Sequence, residues 1–341
     1  MDEPVRVGLV GYGMAGHDFH MPLLRATHHL QVTHVVTGNP ERAAAARSDL
    51  GAHVVSAYDE LLGRAADLDL VVLASPTQLH AQQALAAVEA GLAVVVDKPL
   101  ATNGADARRV VEAARDRSVP LTVFQNRRWD SEHLTARRLV AKDALGQIVR
   151  YEARYERWRP EPKNRWRENR TTEEGGGQLH DLQSHLVDGA VDLFGPVVSV
   201  YAELAAVTTV GDDVTFLAVE HRSGVHSHLS ATSLAGASGP RSRLLGRDGA
   251  YVVANIEDED SPHRDWMDVD AQHRGWLVRG DEREPVRRQP GSVASFYPAV
   301  VAMVRDGGPP PVDPRVSVHV VEVLEAARRS AREGDVARLD P

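Results

Sequence analysis

Five short runs in the first 125 residues, "VRVGLV", "LQVTHVVT", "LDLVVLAS", "AVVVDK" and "PLTVFQ", are apolar almost throughout instead of alternating with polar residues. Strands of that kind are buried on both faces, and a sheet covered on both faces is characteristically parallel. Parallel neighbours need a crossover, and the stretches between the runs supply it. "LHAQQALAAVEAGL" and "NGADARRVVEAARDRS" carry helical periodicity, the first ending at Gly91. The expectation over 1–125 is a doubly wound α/β domain. At 341 residues the chain exceeds the size at which one core usually stops growing, so a second domain is expected over 126–341.

That second part has a different pattern. A helix, "WDSEHLTARRLVAKDALG", leads to the alternating segments "QIVRYEARYERW", "VVSVYAELAAV", "DVTFLAVEHRSG" and "VHSHLSATS". Alternation marks half-exposed antiparallel strands, which predicts an α+β domain with a predominantly antiparallel open sheet. Helices cover one face; the other is expected to join copies of the chain into a homodimer or homotetramer. "DGGPPPVDP" separates two helices, with Asp313 as N-cap and Pro314 in the first turn of a final helix over about 313–333. That helix is expected to pack back towards the N-terminal domain.

Composition removes several classes of function. A formal charge of −9 argues against a general nucleic-acid binder, which needs a basic face. With no cysteine, disulfides, thiolate nucleophiles and cysteine metal sites are excluded. No apolar run approaches the roughly 18 residues of a membrane span. The opening "MDEPVRVGLVGYG" carries two acids where a signal peptide is basic, so the expected location is the cytoplasm.

The first strand runs into Gly11-Tyr12-Gly13-Met14-Ala15-Gly16. In that context the glycines permit a tight turn, close approach of a pyrophosphate and close helix packing, and the helix N-terminus offers amide donors. NAD or NADP is therefore expected. An acid that grips the ribose of NAD normally closes the second strand, but Thr37, Gly38 and Asn39 stand there, with Arg42 just beyond. The missing acid favours NADP. Arg42 meets a 2′-phosphate in one reading and faces solvent in the other. The run "LDLVVLAS" leads into Ser75, Pro76 and Thr77, followed by His80, at the nicotinamide end of the crevice. His80 serves the ligand or packs against the sheet. The run "AVVVDK" ends in Asp97-Lys98-Pro99, charged residues closing an apolar run where parallel strands face ligand.

"GLVGYGMAG", "VVDKPLA" and "GGGQLHDLQSHLVD", in that order and spacing, resemble the Gfo/Idh/MocA oxidoreductases over nearly the whole chain. The resemblance implies a Rossmann domain followed by an open-sheet domain, and catalysis by Lys98, Asp181 and His185. Thr77 and Gln183 depart from the family pattern, and Gln183 is expected to narrow the pocket. Positions four apart share a helix face, so Asp181 and His185 should project together, with Asp188 continuing the stripe. Glycines 175–177 let the chain reach that helix in an unusual conformation and let backbone lie close to a bound ring. A metal reading of "HDLQSHLVD" fails because His180 lies well round the helix from His185 and no thiolate completes a shell.

The stretch "RYEARYERWRPEPKNRWRENR" holds eight Arg or Lys against four Glu. Solvated strands and a polar loop are the plainer reading. In the functional one, Trp158 or Trp166 stacks on a sugar and Arg159 or Arg165 binds an anion. The candidate substrate contacts are Lys98, Arg127, Trp158, Arg165, Trp166, Asp181 and His185. The chemistry expected is NAD(P)-dependent oxidation of a secondary alcohol on a sugar or polyol, or reduction of the ketone. A glycosidase using transient oxidation and a catalytically silent NAD(P)-binding regulator are the alternatives.

Overall fold

The valine-rich runs become parallel strands β1 (Val5–Val10), β2 (Leu30–Val36), β3 (His53–Val55), β4 (Leu70–Leu73), β5 (Ala93–Asp97) and β6 (Leu121–Phe124), in the computed structural model, which describes residues 3–254 and 270–339. Their order is β3-β2-β1-β4-β5-β6, so the winding reverses between β1 and β4 and opens a crevice at the strands' carboxyl ends. Val71, Val72, Val94 and Val95 are fully buried, as the unbroken apolar pattern requires. The three residues of β3, at the sheet edge, are too few to show a periodicity in sequence.

Side-chain caps set the crossover helices. Asn39 accepts from the Arg42 N–H to start Pro40–Leu50, and Gly51, at φ 61°, ends it. Asn103 accepts from the Asp106 N–H at 2.9 Å and starts Gly104–Asp116.

The chain divides into two compact units, Met1–Gln125 with Ala294–Val321, and Asn126–Val293 with Glu322–Pro341. In the first, Phe296 and Tyr297 open the helix Phe296–Asp306, both fully buried, with the Phe124 ring 4.8 Å from that of Phe296. Asp313 accepts from the Arg315 N–H at 2.9 Å and starts the helix Pro314–Glu333, whose residues are divided between the units.

The second unit is built on β7 (Ile148–Glu156), β8 (Val197–Ala205), β9 (Val214–His221), β10 (His226–Thr232), β11 (Ser242–Gly246), β12 (Gly249–Val253), β13 (His273–Arg279), β14 (Glu282–Arg287) and β15 (Ala337–Arg338). They form one sheet in the order β14-β13-β12-β11-β7-β10-β9-β8-β15. Only β7 and β10 pair in parallel among the described strands of this sheet; the other pairings are antiparallel. Alternation is clear on β10, where Ser227, Leu229 and Ala231 are fully buried and His226 is exposed. Among the described residues no helix is long and apolar enough to cross a membrane.

A charge cluster around the buried Asp188 joins the helices Ser131–Ala141 and Ser184–Phe194. Arg128 forks onto Asp188 at 2.7 and 2.8 Å and reaches Asp192 at 3.1 Å, while His133 Nε2 lies 2.7 Å from the other Asp192 oxygen. The Arg128 and Asp188 side chains are only 13% and 3% exposed, so removing one partner strands a charge in the interior. Arg128→Ala should therefore lower the unfolding free energy by about 3–5 kcal/mol in denaturant titration. A loss below about 1 kcal/mol would place the pair with exposed ones.

Candidate active site

In the first unit, β1 delivers the chain into Gly11 at φ 95°, where an added Cβ would lie 2.6 Å from the Ala74 carbonyl oxygen. At Gly16 a Cβ would lie 2.0 Å from the Gly11 carbonyl oxygen. Only glycine fits either position, so the turn folds tightly onto itself and the end of β4. The following segment opens as a π-helical turn, Ala15–His20, before the α-helix Met21–Ala26. Gly13 faces the Arg42 guanidinium, 3.5 Å from where its Cβ would stand, and no carboxylate pairs with Arg42 among the described residues. Glycine turn, helix start and guanidinium together suit a pyrophosphate and a 2′-phosphate.

Other crevice candidates are committed to the fold. Tyr12 is buried and donates its hydroxyl to Asp49 at 3.0 Å, leaving its backbone for a ligand, whereas Met14 is exposed. Ala15 is half-buried. Thr37 donates its N–H to Val55, and the Asn39 oxygen is used as the helix cap. Ser75 donates its hydroxyl to Gln83, Pro76 is extended and Thr77 is buried. His80 lies 2.8 Å from both the Ser75 and Pro99 carbonyl oxygens, so the ring ties the ends of β4 and β5 together. Of its two readings, the geometry supports packing.

Asp97 accepts from the Lys98 N–H at 2.9 Å, and Lys98 is half-buried before a cis bond to Pro99. Behind them sits His20, which the sequence reading missed. Its Nδ1 is 2.6 Å from the Tyr297 hydroxyl, and its Nε2 is 4.0 Å from Asp97. Burial lowers its pKa to about 4, against an opposing pull from Asp97, so the imidazole is neutral at neutral pH. Tyr297 is 277 residues away, a pairing no local pattern announces.

In the second unit, Asp181 and His185 lie on a segment that begins as a π-helical turn, Leu179–Gln183, and continues as Ser184–Phe194. They line different depressions. Asp181 joins Arg157, Arg165 and Arg167 around about 70 Å³, with Arg167 Nη1 3.4 Å from its carboxylate. His185 joins Arg127, Tyr155 and Arg241 around about 50 Å³. Asp188 lines the same depression as His185, with its carboxylate taken up by Arg128. Arg241, also missed, lies with its guanidinium carbon 3.5 Å from the centre of the Tyr155 ring and walls the His185 side with a half-buried cation.

Two expectations are corrected. Gln183 does not narrow a pocket: it is fully buried and donates to Thr215 and Leu229 at 3.0 Å, facing the sheet. The glycine run closes on the chain itself, because a Cβ at Gly176 would stand 2.2 Å from the Arg170 carbonyl oxygen and one at Gly177 2.3 Å from Asp212. The unusual conformation is present, with Gly175 and Gly177 at φ 84° and 78°. Of the substrate candidates, Trp158 is 63% exposed, Arg165 is exposed, and Trp166 is half-buried with the Arg167 guanidinium carbon 5.5 Å from its ring centre. Arg127 pairs with Asp130 at 3.0 Å. Among the described residues no group of three or more metal-ligating side chains occurs.

Residues 5–125 match the family model described as oxidoreductase family, NAD-binding Rossmann fold, and residues 133–252 match that described as GFO/IDH/MocA C-terminal domain. The chain is 30% identical to scyllo-inositol 2-dehydrogenase (NADP(+)) IolW of Bacillus subtilis, over 99% of this chain and 97% of that one. It is 32% identical to the uncharacterized oxidoreductase YdgJ of Escherichia coli, over 97% and 98%. The solved oxidoreductase yvaA of Bacillus subtilis superposes with a TM-score of 0.86 at 29% identity, covering 99% of each chain.

His20 carries a pH signature. Its folded pKa, about 4, lies below the ordinary 6.5, so the unfolded chain binds more protons between those values. The corresponding stability is complete above 6.5 and is lost as pH falls through 4. Across that window the wild type should lose about 3 kcal/mol more unfolding free energy than His20→Asn, measured by denaturant titration at each pH. Parallel acid profiles would contradict the assignment.

Proposed function

The chain belongs to the Gfo/Idh/MocA oxidoreductases, and on that premise we propose that it oxidises a secondary alcohol of a sugar or polyol, or reduces the matching ketone, using NADP(H) ahead of NAD(H). The observation that carries the reading is the glycine turn at the reversal of strand order, too close for any side chain at Gly11 or Gly16 and flanked by the Arg42 guanidinium. The bound nicotinamide nucleotide supplies the hydride acceptor or donor. The name of the Bacillus relative, which cites scyllo-inositol and NADP(+), supports the same classes of substrate and cofactor.

The remaining chemistry falls to side chains. His185 exchanges the alcohol proton, the general acid and base role for which an imidazole is suited. Lys98 hydrogen-bonds the reacting oxygen and stabilises its developing negative charge. Asp181, lining a depression apart from that of His185, holds a neighbouring hydroxyl. Arg127, Trp158, Arg165 and Trp166 complete the substrate contacts. The protein acts in the cytoplasm as a homo-oligomer joined through the second unit's sheet.

Cofactor choice is tested at Gly38, where an added Cβ meets nothing nearer than the Ser56 oxygen at 3.8 Å. In fluorescence titration NADP(H) should bind at least as tightly as NAD(H), and Gly38→Asp should shift preference towards NAD(H) by repelling the 2′-phosphate. A tenfold wild-type preference for NAD(H), roughly 1.4 kcal/mol, would contradict the assignment.

For the proton and oxyanion roles, His185→Asn should reduce kcat by about a hundredfold or more while cofactor affinity holds. Lys98→Ala should also depress kcat. Because both serve one transfer, the double variant should fall well short of the product of the single effects. Steady-state rates beside melting curves decide it: near-normal kcat in His185→Asn refutes the mechanism.

A further inference from the structure

The start of the segment that carries Asp181 and His185 is held from outside. The Leu179 N–H, at the head of the π-helical turn, has no carbonyl one turn back to receive it, as at any helix start. It donates instead to Asp212 Oδ2 at 2.7 Å. The other oxygen, Oδ1, accepts the Thr172 hydroxyl at 2.6 Å, and the Asp212 carbonyl oxygen accepts the Gln178 N–H at 2.7 Å. One residue therefore closes the whole loop from Thr172 to Leu179, which contains the glycine run. The glycines permit the approach: a Cβ on Gly177 would stand 2.3 Å from Asp212 Oδ1, and one on Gly211 would stand 2.7 Å from the Gly177 nitrogen.

We propose that Asp212 is a positioning residue, a carboxylate staple that fixes the direction in which the helix presents Asp181 and His185. The assignment rests on the catalytic reading of those two residues. Three hydrogen bonds onto one 3%-exposed residue fix the loop's ends, and a negative charge at a helix start is favourable. Stability alone does not account for the choice of an acid. Burial pushes the Asp212 carboxyl up to about 6, against the hydrogen bonds that lower it, so its ionised form opposes folding at neutral pH. What the position requires is the geometry, two side-chain atoms and a carbonyl oxygen that each hold one group of the same loop, so an isosteric amide should hold the helix start as well.

Asp212→Ala, Asp212→Asn, Thr172→Val and His185→Asn are compared for kcat, cofactor affinity, melting temperature and amide exchange across Leu179–His185. Asp212→Ala should lose about tenfold or more in kcat with cofactor affinity unchanged, and exchange at Leu179 should accelerate at least as much. Asp212→Asn should recover kcat to within about threefold, because its oxygen accepts the Leu179 N–H and its amide donates to Thr172. It should melt no lower than the wild type at pH about 8, since the buried charge is gone. Wild-type kcat and unchanged exchange in Asp212→Ala would overturn the proposal, as would an Asn variant as impaired as the Ala variant. If Asp212→Ala does not fold, Thr172→Val decides: a fall of about threefold in kcat at unchanged melting supports the staple, and unchanged kcat overturns it. Normal turnover in His185→Asn would instead remove the catalytic reading, while exchange at Leu179 would still judge the staple.

Discussion

Backbone meeting backbone, closer than any Cβ allows, is the constraint on which both functional regions depend. At Gly16 a side chain would collide with the Gly11 carbonyl, and at Gly176 with that of Arg170. Each collision is avoided only by glycine, and each close approach ends at the start of a helix that the candidate chemistry uses. At the first, the turn lays amide donors beside Arg42 at the reversal of the parallel sheet. At the second, the loop closes onto Asp212 and sets the helix bearing His185. Glycine's conformational freedom is costly to order, so its use at these positions exchanges stability for placement.

The parts of the fold visible in sequence were those set by periodicity. Val71, Val72, Val94 and Val95 are buried because their strands are covered on both faces, and unbroken apolar runs announce that directly. β3 was missed because three edge residues have no period to read. The glycine motif was legible because its meaning follows from its place after the first strand. Long-range partnerships were not. His20 finds Tyr297, Arg241 finds Tyr155, and Thr172 finds Asp212 across stretches with no common pattern. Gln183 was misjudged for the same reason: a polar residue on a helix looks like a pocket group until its sheet partners, Thr215 and Leu229, are known.

Charge is distributed with a division of labour. Arg128 pairs with Asp188 and Asp192, His133 binds Asp192, and together they lock two helices, so that cluster is architecture. Arg42 is left beside the glycine turn without a carboxylate among the described residues, and Arg165 is exposed in a basic depression that includes Asp181. Cations placed this way suit anionic or hydroxyl-rich ligands better than they serve stability, since exposed pairs contribute little. The same logic explains why −9 overall does not preclude a phosphate-bearing cofactor: the local field, set by a few oriented donors, outweighs the net charge at contact distance.

Net hydride transfer is the claim on which everything functional rests, and turnover with NADP+ and a panel of polyols including scyllo-inositol tests it most directly. The near-ultraviolet absorbance of reduced nicotinamide should grow steadily, with one equivalent of ketone formed per reduced nucleotide. Cleavage of a glycoside with no accumulation of reduced nucleotide, or tight cofactor binding with no turnover of any sugar or polyol, would contradict it.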